Sequence, residues 1–362
     1  MHAATARALV ILGALAAAVG CAPAASPAPA PQAAPPASAA PTAPAAAPAT
    51  TAPAATAPPS RVPLNMPYAG RGVAGLAHYL AVEDGLYARQ GLDVTSPNIA
   101  NPPTLVAAVL GGEAPVASNA LEPTIHAAAS GAPIVVIGSN LNGIAMSVMA
   151  QPSIRTPEEL RGKRMGVTAY ASPTHTGAVL YLRSLGLDPQ RDVPVIPIGG
   201  MPEIRGALES GALEAATITP PLSFALARAG YTELADLSTR GLKYQQGALV
   251  TTRDYLRDQP GIVRRVMAAY TEAHRVILTD KAAAERVLAK WVEVSDPEDL
   301  DKTYAIAARG FRDGPTVDPE AVQTTIDLMA ESEAAVRGLR AEQMVDNTLA
   351  NEAATRYGFP TR

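Results

Sequence analysis

Cysteine is almost absent from this chain of 362 residues, where it occurs once, as Cys21. A single cysteine excludes an intramolecular disulfide and any C-x-x-C motif. Oxidation therefore plays no part in the expected fold.

The sequence also lacks the short motifs of common enzyme chemistry. It has no H-E-x-x-H, no Walker loop and no G-x-S-x-G. His78, His126, His175 and His274 are scattered along the chain, and a surface or capping role suits each better than metal ligation. We therefore predict no catalytic residue, no metal site and no cofactor, and we interpret the protein as a non-enzyme.

The charge balance lacks a basic surplus. The net charge is −4 at pH 7, which gives no indication of nucleic-acid binding. After residue 60, no segment is apolar over the roughly 20 residues that a membrane-spanning helix needs.

Residues 1–20 have the pattern of a secretory signal. Arg7 is the only Lys or Arg, and Leu9–Val19 is apolar or small throughout but too short to span a bilayer. Ala18–Cys21 resembles a bacterial lipobox, although leucine is commoner at the place of Ala18. We expect Cys21 to be lipidated and the protein to be exported and anchored on the outer face of the cytoplasmic membrane. The alternative is ordinary signal cleavage beside an incidental cysteine.

Residues 22–60 contain only Ala, Pro, Ser and Thr, apart from Gln32. Nothing in such a segment forms a core. A proline-rich tether with a reach of roughly 120 Å is expected from about 3.1 Å per residue. It either lets the folded part find a partner on the same membrane or serves as a passive spacer.

One pattern occurs twice in the rest of the chain. Ala108–Asn119 and Ala207–Thr219 each end a helix at glycine and then become a short apolar strand that stops at small polar residues. An apolar run without alternation is typical of a strand buried on both faces of a parallel sheet. We interpret the copies as the same position in two α/β lobes. Because ligands of open α/β sheets bind beyond the carboxyl ends of strands, these ends indicate a crevice site.

The segment Gly70–Gly75 reads G-x-G-x-x-G, between a first strand at 61–69 and a helix through Leu80. A dinucleotide site would also need an acidic residue at the end of the next strand, about 93–99. Its only acid, Asp93, lies at the wrong end. A glycine-rich turn whose N–H groups face the crevice is the better interpretation.

Four segments in order resemble one family. Val82–Val94 resembles the "ekGlfekeGLdV" signature of ABC-importer substrate-binding proteins of the nitrate/sulfonate/taurine and thiamine-precursor class. Residues 105–118, Gly131–Gly138 and Thr156–Val167 are similar to further segments of that family, so the resemblance covers about 64–292. Pro115 stands where the family usually has aspartate.

The resemblance implies an α/β protein of the type II periplasmic-binding-protein fold, with two α/β lobes joined by two hinge crossings. The first lobe is expected at 61–145 plus 252–362 and the second at 146–251. Ile144–Ala150 and Gly247–Thr252 are the expected crossings. Helices are expected at about 260–279, 281–292, 297–310 and 318–337, packed on the first lobe, with Trp291 in the core.

The helix expected over 122–130 begins beside Asn119 and Glu122, which have the spacing of a capping box. A ligand-facing carboxylate is the alternative role for Glu122. Ser172 and Pro173 are typical of a helix start, and hydroxyls around such a start favour an anion. Simple capping of the helix by Ser172 is the alternative. The only Lys or Arg in the expected crevice loops is Arg71.

The expected ligand-binding residues are Tyr68, Gly70, Ser118, Asn119, Asn140, Thr168, Tyr170, Ser172, Thr174 and Thr219.

The function that the resemblance implies is capture of a small organic molecule, anionic or uncharged, and its delivery to an ABC permease with its ATPase. A monomer is expected. One alternative is an orphan sensory protein that reports ligand to a membrane sensor. A nicotinamide enzyme and a pyrimidine-precursor synthase are less favoured, because the latter uses a cysteine-rich iron motif and the expected folded part has no cysteine.

Overall fold

The computed structural model describes residues 61–99 and 101–362. The expected signal peptide, Cys21 and the tether up to residue 60 lie outside the described residues. In the described part, no helix combines the length and the apolar character needed to cross a membrane.

Strands and helices alternate through the first two thirds of the described chain. The strands are β1 (Val62–Asn65), β2 (Leu92–Thr95), β3 (Val116–Asn119), β4 (Ile134–Ser139), β5 (Ser147–Ala150), β6 (Met165–Val167), β7 (Val195–Pro197), β8 (Ala215–Ile218), β9 (Thr232–Asp236) and β10 (Ala248–Thr252). The helices between them are α1 (Leu76–Glu83), α2 (Leu86–Arg89), α3 (Pro102–Leu110), α4 (Leu121–Ala129), α5 (Pro173–Ser184), α6 (Met201–Glu209) and α7 (Leu222–Arg228).

The last third is helical. Its helices are α8 (Arg253–Asp258), α9 (Pro260–Thr279), α10 (Lys281–Trp291), α11 (Pro297–Phe311), α12 (Pro319–Ser332) and α13 (Thr348–Tyr357). They pack against the first elements of the described chain: α9 packs against α1 and α2, and α10 packs against α1. Helix α13 packs against α9 and β4. The four expected helices of this region are confirmed to within a few residues, except that α12 ends early at Ser332.

The sheets have matching strand orders. The first contains β3-β10-β4, and a parallel pair β1-β2 lies beside it through a bridge from Tyr68 to Ser118. The second has the order β7-β6-β8-β5-β9. Position by position, β2-β1-β3-β10-β4 corresponds to β7-β6-β8-β5-β9, so β3 and β8 are equivalent. The repeated sequence pattern therefore marks the same structural position twice, as predicted.

Both sheets are mixed, with parallel and antiparallel neighbours. β10 runs antiparallel to β3 and β4, and β5 runs antiparallel to β8 and β9. These two strands come from the segments expected to be crossings. Each enters its sheet from the other sheet, without an intervening α-helix.

Separate hydrophobic clusters cover the two sheets. Residues of β4 alternate between two clusters, with Val135 and Ile137 facing α9 and α11 and Val136 facing the side of α3 and α12. Around the second sheet, one cluster includes Met165 and Tyr181 and another includes Met149. Because both faces of each sheet are covered, polar side chains gather at the strand ends.

Candidate functional site

Aromatic side chains and backbone polar groups lie together just after β1, beside the first sheet. Tyr68 is buried, and its ring centroid lies 5.2 Å from that of Tyr79 and 5.6 Å from that of Trp291. Gly70 has a φ of 69°, and its N–H donates to Oδ1 of Asn98 over 3.2 Å. Its carbonyl accepts a hydrogen bond from the Tyr79 hydroxyl at 3.1 Å. The left-handed φ explains why glycine suits this turn.

A buried chain of hydrogen bonds runs beyond β3 and β4. Nδ2 of Asn140 donates to Oγ of Ser118 over 2.9 Å, and the Tyr270 hydroxyl donates to Oδ1 of Asn140 over 3.0 Å. The Asn140 N–H donates to the Gly247 carbonyl over 3.2 Å. Asn140 is thus held from three sides and orients the Ser118 hydroxyl.

Tyr270→Phe tests this orientation. The loss of the hydroxyl leaves Oδ1 of Asn140 buried without that donor, so we expect the free energy of unfolding to fall by about 1–3 kcal/mol. Tyr170→Phe is the control, because Tyr170 is 60% exposed and a surface change costs within about 0.5 kcal/mol. Urea titration of both variants measures the difference, and equal stabilities would contradict a structural role for the bond.

A cluster of three hydroxyls lies beyond β6, at the start of α5. Oγ1 of Thr168 is 3.1 Å from Oγ of Ser172 and 2.8 Å from Oγ1 of Thr174, and the last two atoms are 2.9 Å apart. Ser172 is the N-cap and accepts from the His175 N–H, as predicted. Thr217, at the end of β8, donates to the Thr174 carbonyl over 2.9 Å. The helix start and rotatable hydroxyls together favour a negatively charged group.

Three of the ten predicted site residues lie apart from these groups. Asn119 bonds to the start of α3 and to the following residue, donating to the Pro102 carbonyl over 3.3 Å and accepting from the Ala120 N–H over 2.9 Å. Tyr170 lies against His175 and lines a cavity of about 630 Å³ between α5 and α12. Thr219 is half-buried before α7. The other seven lie in the groups already described: Tyr68, Gly70, Ser118, Asn140, Thr168, Ser172 and Thr174.

The expected capping box at α4 is wrong. Ala120 is the N-cap of α4 and makes no side-chain cap bond, because Asn119 bonds to the N–H of Ala120 one residue too early. Glu122 is buried instead against Thr176 and Tyr244, from which Oε1 accepts hydrogen bonds of 3.0 and 2.8 Å. Burial raises the pKa of the Glu122 carboxyl.

The sequence did not indicate Tyr79, Trp291 or Tyr270 as neighbours of the site. Trp291, expected in the core, is half-buried and stacks on Tyr79 with centroids 4.6 Å apart and an angle of 14°. Arg71, the only cation of the expected crevice loops, pairs with Glu293. No local pattern links residues more than 200 positions apart, so only the fold brings them together.

One family model and many solved structures match this chain. The NMT1/THI5-like family model matches residues 75–284. None of the curated protein sequences is significantly similar.

Three of the similar structures are binding proteins. The alkanesulfonate-binding protein SsuA from Xanthomonas axonopodis pv. citri, bound to MOPS, is 22% identical, with 81% of this chain and 100% of that chain covered and a TM-score of 0.65. The aliphatic sulphonate-binding protein SsuA from Escherichia coli is 20% identical, with 80% and 93% covered and a TM-score of 0.64. The nitrate-binding protein NrtA from Synechocystis PCC 6803 is 14% identical, with 82% and 89% covered and a TM-score of 0.61. These likenesses identify the periplasmic-binding-protein fold and confirm the expected fold class.

Proposed function

Because the chain belongs to the NMT1/THI5-like family, we propose that it is an extracytoplasmic solute-binding protein that captures a small organic molecule between two lobes. The supporting observation is the pair of matching sheets whose equivalent strands, β3 and β8, both end in buried polar residues, Ser118 and Thr217. The alkanesulfonate- and nitrate-binding proteins that share the fold support the same function.

The proposed lobes are 61–145 plus 252–362 and 146–251. The chain crosses between them twice, from β4 to β5 and from β9 to β10, and the strand entered after each crossing belongs to the other sheet. Two short crossings allow a hinge motion that closes the lobes around a ligand. The closed protein would then present both lobes to a membrane permease driven by an ATPase.

We propose that an acidic group of the ligand, a sulfonate or carboxylate, lies at the start of α5. Ser172→Ala with Thr174→Ala removes two of its hydroxyls, and hydrogen bonds to charged groups contribute about 1.5–3 kcal/mol each. The double variant should bind an alkanesulfonate at least about tenfold more weakly. Thr324→Ala, on the surface of α12, is the control hydroxyl. Unchanged affinity in the double variant would exclude this part of the site.

A thermal-shift screen tests the function itself. The panel is taurine, alkanesulfonates, nitrate, aromatic carboxylates, pyrimidines and flavin precursors, each added to the full chain. A ligand at 1,000 times its Kd adds about 4 kcal/mol to the folded state. A rise in Tm of several degrees with one chemical class is expected. A folded protein that responds to none of these classes would contradict capture of such solutes.

The proposed location follows from the first 60 residues. A lipid on Cys21 would hold the folded part at the outer face of the cytoplasmic membrane, within reach of a permease. Mass spectrometry of the mature amino terminus should find a diacylglyceryl cysteine. A mature protein that retains an unmodified Cys21 would exclude the anchor but not ligand capture.

A further inference from the structure

A buried carboxyl group connects the two proposed lobes. Glu122, on α4 of the first lobe, is 1% exposed. Its Oε1 accepts hydrogen bonds from Thr176 on α5 and from Tyr244, which belongs to the hydrophobic cluster of the second sheet. Both donors therefore come from the second lobe, and Glu122 contributes the acceptor from the first.

The bonding pattern fits a neutral carboxylic acid. A carbonyl oxygen has two lone pairs, and two donors occupy those of Oε1. Oε2 is buried and has no hydrogen-bond partner among the described residues. A buried carboxylate oxygen without a partner would cost several times more free energy than a buried neutral hydroxyl. Burial accordingly raises the pKa of Glu122, and its own backbone N–H together with the bonds from Tyr244 and Thr176 only partly opposes this effect.

No cation in the described surroundings compensates for a charge on Glu122. Burial keeps the pKa of Tyr244 well above its usual value and lowers the pKa of His175, so both groups stay neutral near pH 7. Helix α3 and strand β4 carry no ionisable side chain. Two nearby cations pair with other carboxylates: Lys243 with Asp318 and Glu320, and Arg183 with Glu331.

We propose that Glu122 is a proton-binding site and that closing of the two lobes takes up one proton there. The proposal rests on the two-lobe function above, because opening would separate α5 from α4 and admit water to the carboxyl group. In the open form Glu122 then ionises as an ordinary glutamate, whereas the closed form holds it protonated.

The direction of the pH dependence follows from linkage. The pKa of Glu122 is higher in the closed form, so protonation favours closure. The stabilisation of the closed form by protonation of Glu122 is complete below the ordinary glutamate pKa. It is lost as the pH rises through the raised pKa of the closed form. Between the two values, closure should weaken by up to about tenfold per pH unit.

The test uses the ligand-free full chain and Glu122→Gln, whose amide oxygen accepts the same two hydrogen bonds but does not titrate. Infrared spectroscopy from about pH 4 to about pH 8 follows the carbonyl band of a protonated carboxylic acid. Small-angle X-ray scattering follows the radius of gyration over the same range. In the wild type we expect this band to persist above the ordinary glutamate pKa. At still higher pH it should disappear as the radius of gyration increases. In Glu122→Gln the band should be absent above the ordinary glutamate pKa.

Two further variants complete the design. Glu158→Gln removes an exposed carboxyl and should leave the band and the opening unchanged. Tyr244→Phe removes a donor that lowers the pKa of Glu122, so the band should persist to higher pH. A wild type without a Glu122-dependent band, or the same pH-dependent opening in Glu122→Gln, would overturn the proposal. Neither readout needs a ligand, so failure here is distinct from a negative ligand screen.

Discussion

Replacing Gly247 with alanine should lower the free energy of unfolding by about 3 kcal/mol and abolish ligand binding. Gly247 has a φ of 86°, and a Cβ there would lie 2.8 Å from Nδ2 of Asn140 and 2.9 Å from the Asn119 carbonyl. The left-handed φ costs alanine about 1–2 kcal/mol, and the overlap adds about 1–3 kcal/mol. Asn140 would have to move, and Ser118 would lose its partner.

Gly131→Ala is the matched control for this variant. Gly131 has nearly the same φ, 84°, but a Cβ there meets nothing within 4 Å. Gly131→Ala should therefore lower the free energy of unfolding only by the cost of the left-handed φ, about 1–2 kcal/mol, and should leave ligand binding intact. Urea titration and calorimetry with a hit from the thermal-shift panel compare the two variants. Equal effects on binding would show that the contact between Gly247 and Asn140 does not shape the site.

Acid should destabilise the protein steeply, and His78 should make a large contribution to that loss. This side chain is fully buried between the Tyr87 hydroxyl at 3.0 Å and Oγ of Ser96 at 2.6 Å. Burial lowers the pKa of His78 to about 3 and that of His274 to about 4. Both histidines are thus neutral when folded and take up a proton on unfolding below their ordinary pKa of about 6.5.

The stabilising effect of each neutral histidine is complete above pH 6.5 and is lost as the pH falls toward the folded pKa. Each contributes a slope of about 1.4 kcal/mol per pH unit between about pH 6 and pH 4. His78→Gln should reduce the slope of unfolding free energy against pH by that amount. Ser96→Ala is the control, because it removes a partner of His78 but leaves the titrating group. An unchanged slope in His78→Gln would mean that His78 is not held neutral.

Short sequence patterns correctly predicted the strands whose limits are marked by neighbouring residues. The repeated pattern of a helix that ends at glycine and is followed by a short apolar strand correctly located β3 and β8. Strand β9 was missed because Thr232–Asp236 is polar at several positions and forms the edge of its sheet, pairing only with β5. Helix α13 was also missed.

Contacts around the candidate site were predictable where they follow from a strand end or a helix start, and were missed where they depend on distant packing. Thr168, Ser172 and Thr174 lie within seven residues, and their cluster was expected from the helix start that they form. Asn119 and Glu122 show the opposite case. Their spacing fits a local capping box, but the partners of Glu122 lie 54 and 122 residues away, and tertiary contacts override the local pattern.

Amide hydrogen exchange with the panel compound that gives the largest thermal shift tests capture between two lobes most directly. The predicted result is simultaneous protection, on ligand addition, of the turn at 68–70 and strand end at 118–119 in the first lobe and of 168–174 in the second. Protection confined to one lobe, or to the cavity between α5 and α12, would contradict capture in the crevice.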